Sequence, residues 1–209
     1  MINGGGKDNL MLSGLIGSMV PKFTIYKVLY PIIRDGRNLH AILSKSTYSS
    51  FRDNIAVKHF KDNMQSFYQT ADAIKDLSKD CFGKITATCV KMPITAEAIL
   101  SYAKVYNADT VYIEDMSAYN PDEIRGILNT ASLQGVRIIM NTVYKQEALC
   151  EKYNPDVEGI IRWYKNIYGD LLDELKVCIG TLESSKGNYC LFDLQDDSIR
   201  TFSMMKLFE

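Results

Sequence analysis

The 209-residue sequence predicts an α/β fold: a mostly parallel sheet flanked by helices, with antiparallel hairpins at its C-terminal end. Three observations predict it. Short apolar or β-branched runs alternate with helix-length segments from Leu10 to Trp163, and such alternation builds parallel sheets. Helix punctuation falls between the runs, with Pro21, Thr95 and Pro121 at starts and Gly36 and Gly135 at stops. From Leu171 to Ser203 the runs follow one another without an intervening helix, which reads as hairpins.

Each element follows in order. Leu10 to Ile16 is a short apolar strand after the glycines Gly4, Gly5 and Gly6. Gly14, Gly17 and Ser18 turn the chain into a helix from Pro21 to Asp35, which Pro31 should kink by removing a donor. Leu39 to Ser44 is the second strand, followed by a helical stretch from Ser50 to Lys79. Its lysines and aspartates balance, as on a solvated face. Ile85 to Val90 is a strand, and Thr95 caps a helix from Ala96 to Tyr106. Thr110 to Ile113 is a strand ending in Glu114 and Asp115, and Pro121 opens a helix that Gly135 closes. Val136 to Met140 is a buried-type strand, a short helix spans Lys145 to Lys152, and Gly159 to Trp163 reads as a further strand. Glu174 to Thr181, Tyr189 to Leu194 and Ile199 to Ser203 form the hairpins.

Composition narrows the class. One domain over residues 1–209 is expected at this length, and 46% hydrophobic residues suffice for a core. A net charge of -1 argues against strong non-specific attraction to nucleic acid or anionic lipid. No apolar run reaches the roughly 18 residues of a membrane span, and no signal-peptide pattern opens the chain. Cys81, Cys89, Cys150, Cys178 and Cys190 are scattered, with no C-x-x-C pair and no neighbouring histidine. They read as free thiols of a reducing, cytoplasmic compartment. His40 and His59 are isolated and suggest no metal site.

Four stretches carry a family resemblance. Asn3-Gly4-Gly5 and the strand from Leu10 to Ser13 look like a glycine-led approach to a P-loop. Met92-Pro93-Ile94-Thr95 with Ile99, leading to the strand Thr110 to Ile113, looks like a "P-x-T-x-x-x-I" helix before a Walker B strand. Gly135 to Met140 looks like a sensor strand. Val157 to Arg162, Leu175 to Thr181 and Asn188 to Phe192 look like closing strands and their hairpin. In this order the four resemble the RecA superfamily, most closely the ATPase domain of replicative hexameric, DnaB-type helicases and their circadian-clock relatives. The resemblance implies a RecA-like P-loop NTPase fold.

The chemistry that the resemblance implies is largely replaced. A P-loop cradles phosphates with backbone N–H groups, places a lysine on the β/γ-phosphates and sets a Ser/Thr hydroxyl on Mg²⁺. Aligned on Gly14 and Gly17, with Ser18 following, the lysine position holds Val20 and the hydroxyl position Pro21. Lys22 and Thr24 lie beyond, and would complete a nucleotide site with Gly14, Gly17 and Ser18 only if the loop carried an insertion. Where the family places a water-activating glutamate stands Lys45, and where it places a Lys-x-Arg finger stand Thr181 and Glu183, with Lys186 three residues on. Glu114 and Asp115 remain at the Walker B end, where an acid normally holds Mg²⁺ through water.

The expectation is therefore a degenerate nucleotide site (Gly14, Gly17, Ser18, Lys22, Thr24, Glu114, Asp115) with no catalytic residue, no bound cofactor and no metal. The chain is read as a pseudoenzyme of DNA replication or recombination, of viral or plasmid origin, acting by protein binding. Nucleic-acid binding is expected to be weak or absent, because the loops Met116 to Asp122 and Thr142 to Lys152 offer few unbalanced bases. No membrane association and no nucleotide-dependent homo-hexamer are expected. Two alternatives stay open: an atypical ATPase with a displaced P-loop using Lys22, Thr24 and Asp115 with ATP and Mg²⁺, or a structural subunit of a larger assembly.

Overall fold

The computed structural model describes residues 9–15, 23–44, 83–144, 157–183 and 186–206. Within them the apolar runs are strands: Asn9–Leu15 (β1), Leu39–Ser44 (β2), Ile85–Val90 (β3), Thr110–Ile113 (β4), Arg137–Tyr144 (β5), Leu175–Glu183 (β6), Asn188–Asp193 (β7) and Ile199–Ser203 (β8). Four helices accompany them: Tyr30–Arg34 (α1), Ala96–Val105 (α2), Pro121–Leu133 (α3) and Val157–Tyr168 (α4). The expected helix at 50–79, the helix at 145–152, the loop at 16–22 and Lys45 lie outside the described residues.

Local chemistry sets the helix ends. Thr95 accepts a hydrogen bond from the Ala98 amide at 3.3 Å and caps α2. Asn120 and Glu123 form a reciprocal capping box at the start of α3, with Pro121 in its first turn. Gly135, at φ +67°, takes the left-handed conformation that ends α3. Upstream of α1 the backbone widens into a π-helical turn, Ile25–Leu29. Pro31 has no amide to give to the carbonyl four residues back and its ring crowds that carbonyl, so the expected kink takes the form of a wider turn.

The sheet runs β3-β2-β4-β5-β1-β6-β7-β8. Every pairing from β3 to β6 is parallel, and β7 and β8 extend it antiparallel. Strand alternation divides the core into two layers. Met11, Ile42, Val111, Ile113, Met140 and Val177 pack with α2, α3 and α4. Leu10, Leu12, Leu39, Tyr112, Ile139 and Cys178 pack under α1. Each fully buried aliphatic contributes roughly 1.5–3 kcal/mol of transfer free energy.

Two expectations are corrected. Gly159 to Trp163 is not a strand but lies within the helix α4. Its buried residues Ile160, Tyr164 and Tyr168 recur every four residues, a helical stripe that the short run Gly-Ile-Ile-Arg-Trp conceals. The strand expected to stop at Met140 continues to Tyr144. Thr142, Val143 and Tyr144 pair with Ser13, Gly14 and Leu15, so the first part of the supposed binding loop is sheet.

Candidate nucleotide site

In open α/β sheets ligands bind beyond the C-terminal ends of the strands, where neighbouring strands send the chain to opposite faces. Here that point lies between β1 and β5. β1 leads to α1 on one face, and β5 leads to α4 on the other. The ends of β1, β4 and β5 therefore frame the candidate site.

Gly14 sits buried in β1, in register with Val143 on one side and Gly180 on the other. Beside it Ser13 is fully buried, and its hydroxyl is hydrogen-bonded to the Tyr164 hydroxyl of α4. Glu114 and Asp115 follow β4 and are partly exposed. The Glu114 amide donates to the Ile42 carbonyl at 3.0 Å, which ties this segment to β2. One Asp115 carboxylate oxygen accepts the Ser117 amide at 2.9 Å and closes a tight turn.

Thr24 lies apart from solvent. It is 0% exposed, and its hydroxyl donates to Asn141 Oδ1 at 3.0 Å. Asn141 Nδ2 in turn donates to the Tyr112 hydroxyl at 2.9 Å, while the Asn141 carbonyl accepts the Met116 amide. A buried polar chain thus links the segment before α1 to β5, β4 and the loop that carries Asp115. Burial pushes the Tyr112 phenol well above its ordinary range, and Glu114 and Asp115 add to the effect, so it stays neutral.

A second tie organises the far side of the site. The Tyr119 hydroxyl accepts the Ile94 amide at 2.8 Å and donates to the Ile94 carbonyl at 3.0 Å, which fastens the loop before α2 to the loop before α3. Burial raises its pKa, with smaller upward contributions from Glu123 and Asp115.

The structure brings Gly14, Thr24, Glu114 and Asp115 to one end of the sheet. Gly17, Ser18 and Lys22 lie outside the described residues. Thr181 is buried in β6, Glu183 is that strand's last residue, and Lys186 is exposed in the following turn. Sequence reading missed Ser13, Tyr112, Asn141 and Tyr164. A polar residue directly after the apolar run 138–140 was the available signal for Asn141.

Chemically the framed edge offers acceptors. At the ends of β1, β4 and β5, residues 13–15, 113–115 and 141–144 include two carboxylates and no lysine or arginine. Such a set suits the water shell of a divalent cation better than a triphosphate. Among the described residues no group of three His, Cys, Asp or Glu side chains is arranged to hold a metal ion, and no helix is long and apolar enough to cross a membrane.

No family model and no curated protein matches the sequence. Among solved structures the chain is similar to one described as an ATPase domain, at 10% identity and a TM-score of 0.57, over 97% of this chain and 84% of that one. It is also similar to "The Structure Of A DnaB-Like Replicative Helicase And Its Interactions With Primase", at 10% identity and a TM-score of 0.56. That match covers 93% of this chain and 54% of the other, so the chain spans about half that protein's length. The likeness at this identity is one of fold: the chain has the RecA-like fold of DnaB-like helicase ATPase domains.

Proposed function

We propose that this RecA-like chain is a non-catalytic relative of DnaB-like ATPase domains that acts through protein partners in DNA replication or recombination. The observation that carries the reading is the engagement of Thr24. With Val20 and Pro21 at the clamp positions, a working nucleotide site needs Lys22 and Thr24 as substitutes. The Thr24 hydroxyl is already donated to Asn141 in a fully buried setting, and freeing it for Mg²⁺ would leave Asn141 and Tyr112 short of a partner. Glu114 and Asp115 alone attract a cation and repel phosphate.

Thermal-shift and phosphate-release measurements with ATP and Mg²⁺ test this. The expected result is an unchanged melting temperature and no turnover above background. A nucleotide-dependent rise in melting temperature, or turnover abolished by Lys22→Ala, would establish the displaced P-loop instead. Fold alone does not carry function, which is why the test addresses the site.

A further inference from the structure

β8 ends the sheet on the hairpin side, and among the described residues no strand pairs with its outer edge. Two hydrogen bonds show which backbone groups face outward. The Asp193 amide donates to the Ser198 carbonyl, and the Met204 amide donates to the Gly187 carbonyl, both at 2.9 Å. In an antiparallel ladder the residues that exchange bonds with the neighbour alternate. Arg200 and Phe202 therefore bond toward β7, while Ile199, Thr201 and Ser203 aim their amides and carbonyls outward. The side chains of these three are also exposed, Ile199 at 60%. Edge strands are usually protected by proline, lysine or a bulge. β8 has none of these and carries one charge, Arg200.

We propose that β8 pairs antiparallel with β8 of a second copy of this chain, centred on Thr201, joining two sheets into one. Two features select a second copy and this register. The outward row is its own complement: about a two-fold axis the outward groups of Thr201 meet those of the partner's Thr201, and those of Ile199 meet the partner's Ser203. Continued past the strand, the same register brings exposed Lys206 toward the partner's Asp196, and Met205, 84% exposed, toward the partner's Asp197. Base meets acid at both ends by symmetry. The strand is short, so the contact belongs with weak, reversible interfaces. It makes no use of the nucleotide site.

Light scattering on the full chain over a concentration series, from roughly 10⁻⁶ to 10⁻⁴ M, tests the pairing. The mass should rise from one chain toward two; a mass fixed at one chain throughout would overturn the proposal. Thr201→Pro removes an outward amide and leaves the β7 ladder intact, as edge strands tolerate. Two hydrogen bonds are lost by symmetry, and the dimer should weaken ~10-fold or more. Thr201→Lys sets two lysines opposite each other and serves if the proline variant does not fold. Its weakening should be relieved by salt, which a merely structural defect would not show. A dimer undiminished in both folded variants places the interface elsewhere and sinks the idea. Repeating the series with ATP and Mg²⁺ separates this proposal from the preceding one. A nucleotide-dependent mass counts against the non-catalytic reading, while the Thr201 variants judge β8.

Discussion

His40 is fully buried in β2, with Nδ1 2.8 Å from the Thr86 hydroxyl. Its ring stacks on Tyr106 at 4.2 Å and on Tyr102 at 5.5 Å, and Nε2 has no hydrogen-bond partner. Burial lowers its pKa from 6.5 to about 4, because the charged ring would lose its hydration. The sign follows. Below 6.5 the unfolded chain takes up a proton that the folded chain refuses, so stability falls until the folded pKa is reached. We expect stability measured by urea unfolding to decline between pH 6.5 and about 4. His40→Phe, which keeps a stacking ring but cannot titrate, should flatten part of that decline. An identical pH profile in the variant would assign the decline to other groups. At this scale the sequence was legible where a residue acts on its own neighbours: Thr95 caps and Gly135 stops as expected. It was not legible where partners are distant. Thr24 stood out as a candidate magnesium ligand, yet its described partner, Asn141, is 117 positions away and reaches it only through the order of the strands.

Glycines show what an element tolerates. Gly126 lies inside α3, exposed, and a Cβ there would meet nothing within 4 Å. Gly126→Ala should therefore raise stability by about 0.5–1 kcal/mol through lower unfolded-state entropy. Gly83 is the contrast. Its Cβ would fall 2.1 Å from the Arg37 carbonyl oxygen, and its amide donates to the Ile33 carbonyl that closes α1 against β3. Gly83→Ala should cost about 1–3 kcal/mol or more as backbone is forced apart. Chemical denaturation of the two variants side by side checks both, and a loss at Gly126 would mean that α3 is less regular than described. The same scale explains the misread helix. A five-residue apolar run with a tryptophan looks like a strand in isolation, and only the twelve residues of α4 reveal the four-residue spacing of Ile160, Tyr164 and Tyr168. Capped helices were readable because their signals are local. The extension of β5 to Tyr144 was not, since its cause is pairing with β1.

For the whole molecule, alternation of strands and helices made the parallel sheet legible, but its order, which puts β5 between β4 and β1, was not. That order decides which loops share an end of the sheet, and so what the chain presents to a nucleic acid. Single strands are held by a positive groove and by aromatic side chains free to stack on bases. The chain offers little of either. Its net charge is -1, and the loop after β4 carries Asp115, Asp122 and one aromatic, Tyr119. Tyr119 is 8% exposed and its hydroxyl is spent on Ile94, so it cannot swing out to a base without releasing the loop before α2. The second candidate loop begins later than the sequence implied, because Thr142 to Tyr144 belong to β5. Counterion release grows with the number of phosphates neutralised, and with few unbalanced cations the gain is small. Fluorescence anisotropy with a labelled single strand near physiological salt should give a dissociation constant no tighter than roughly 10⁻⁵ M, the non-specific range. Submicromolar binding that weakens steeply as salt is added would contradict this and point to a helicase-like role. Tyr119→Ala then locates the contact. It should leave weak binding unchanged if the ring stays inward, and should diminish tight binding only if the loop opens to stack it.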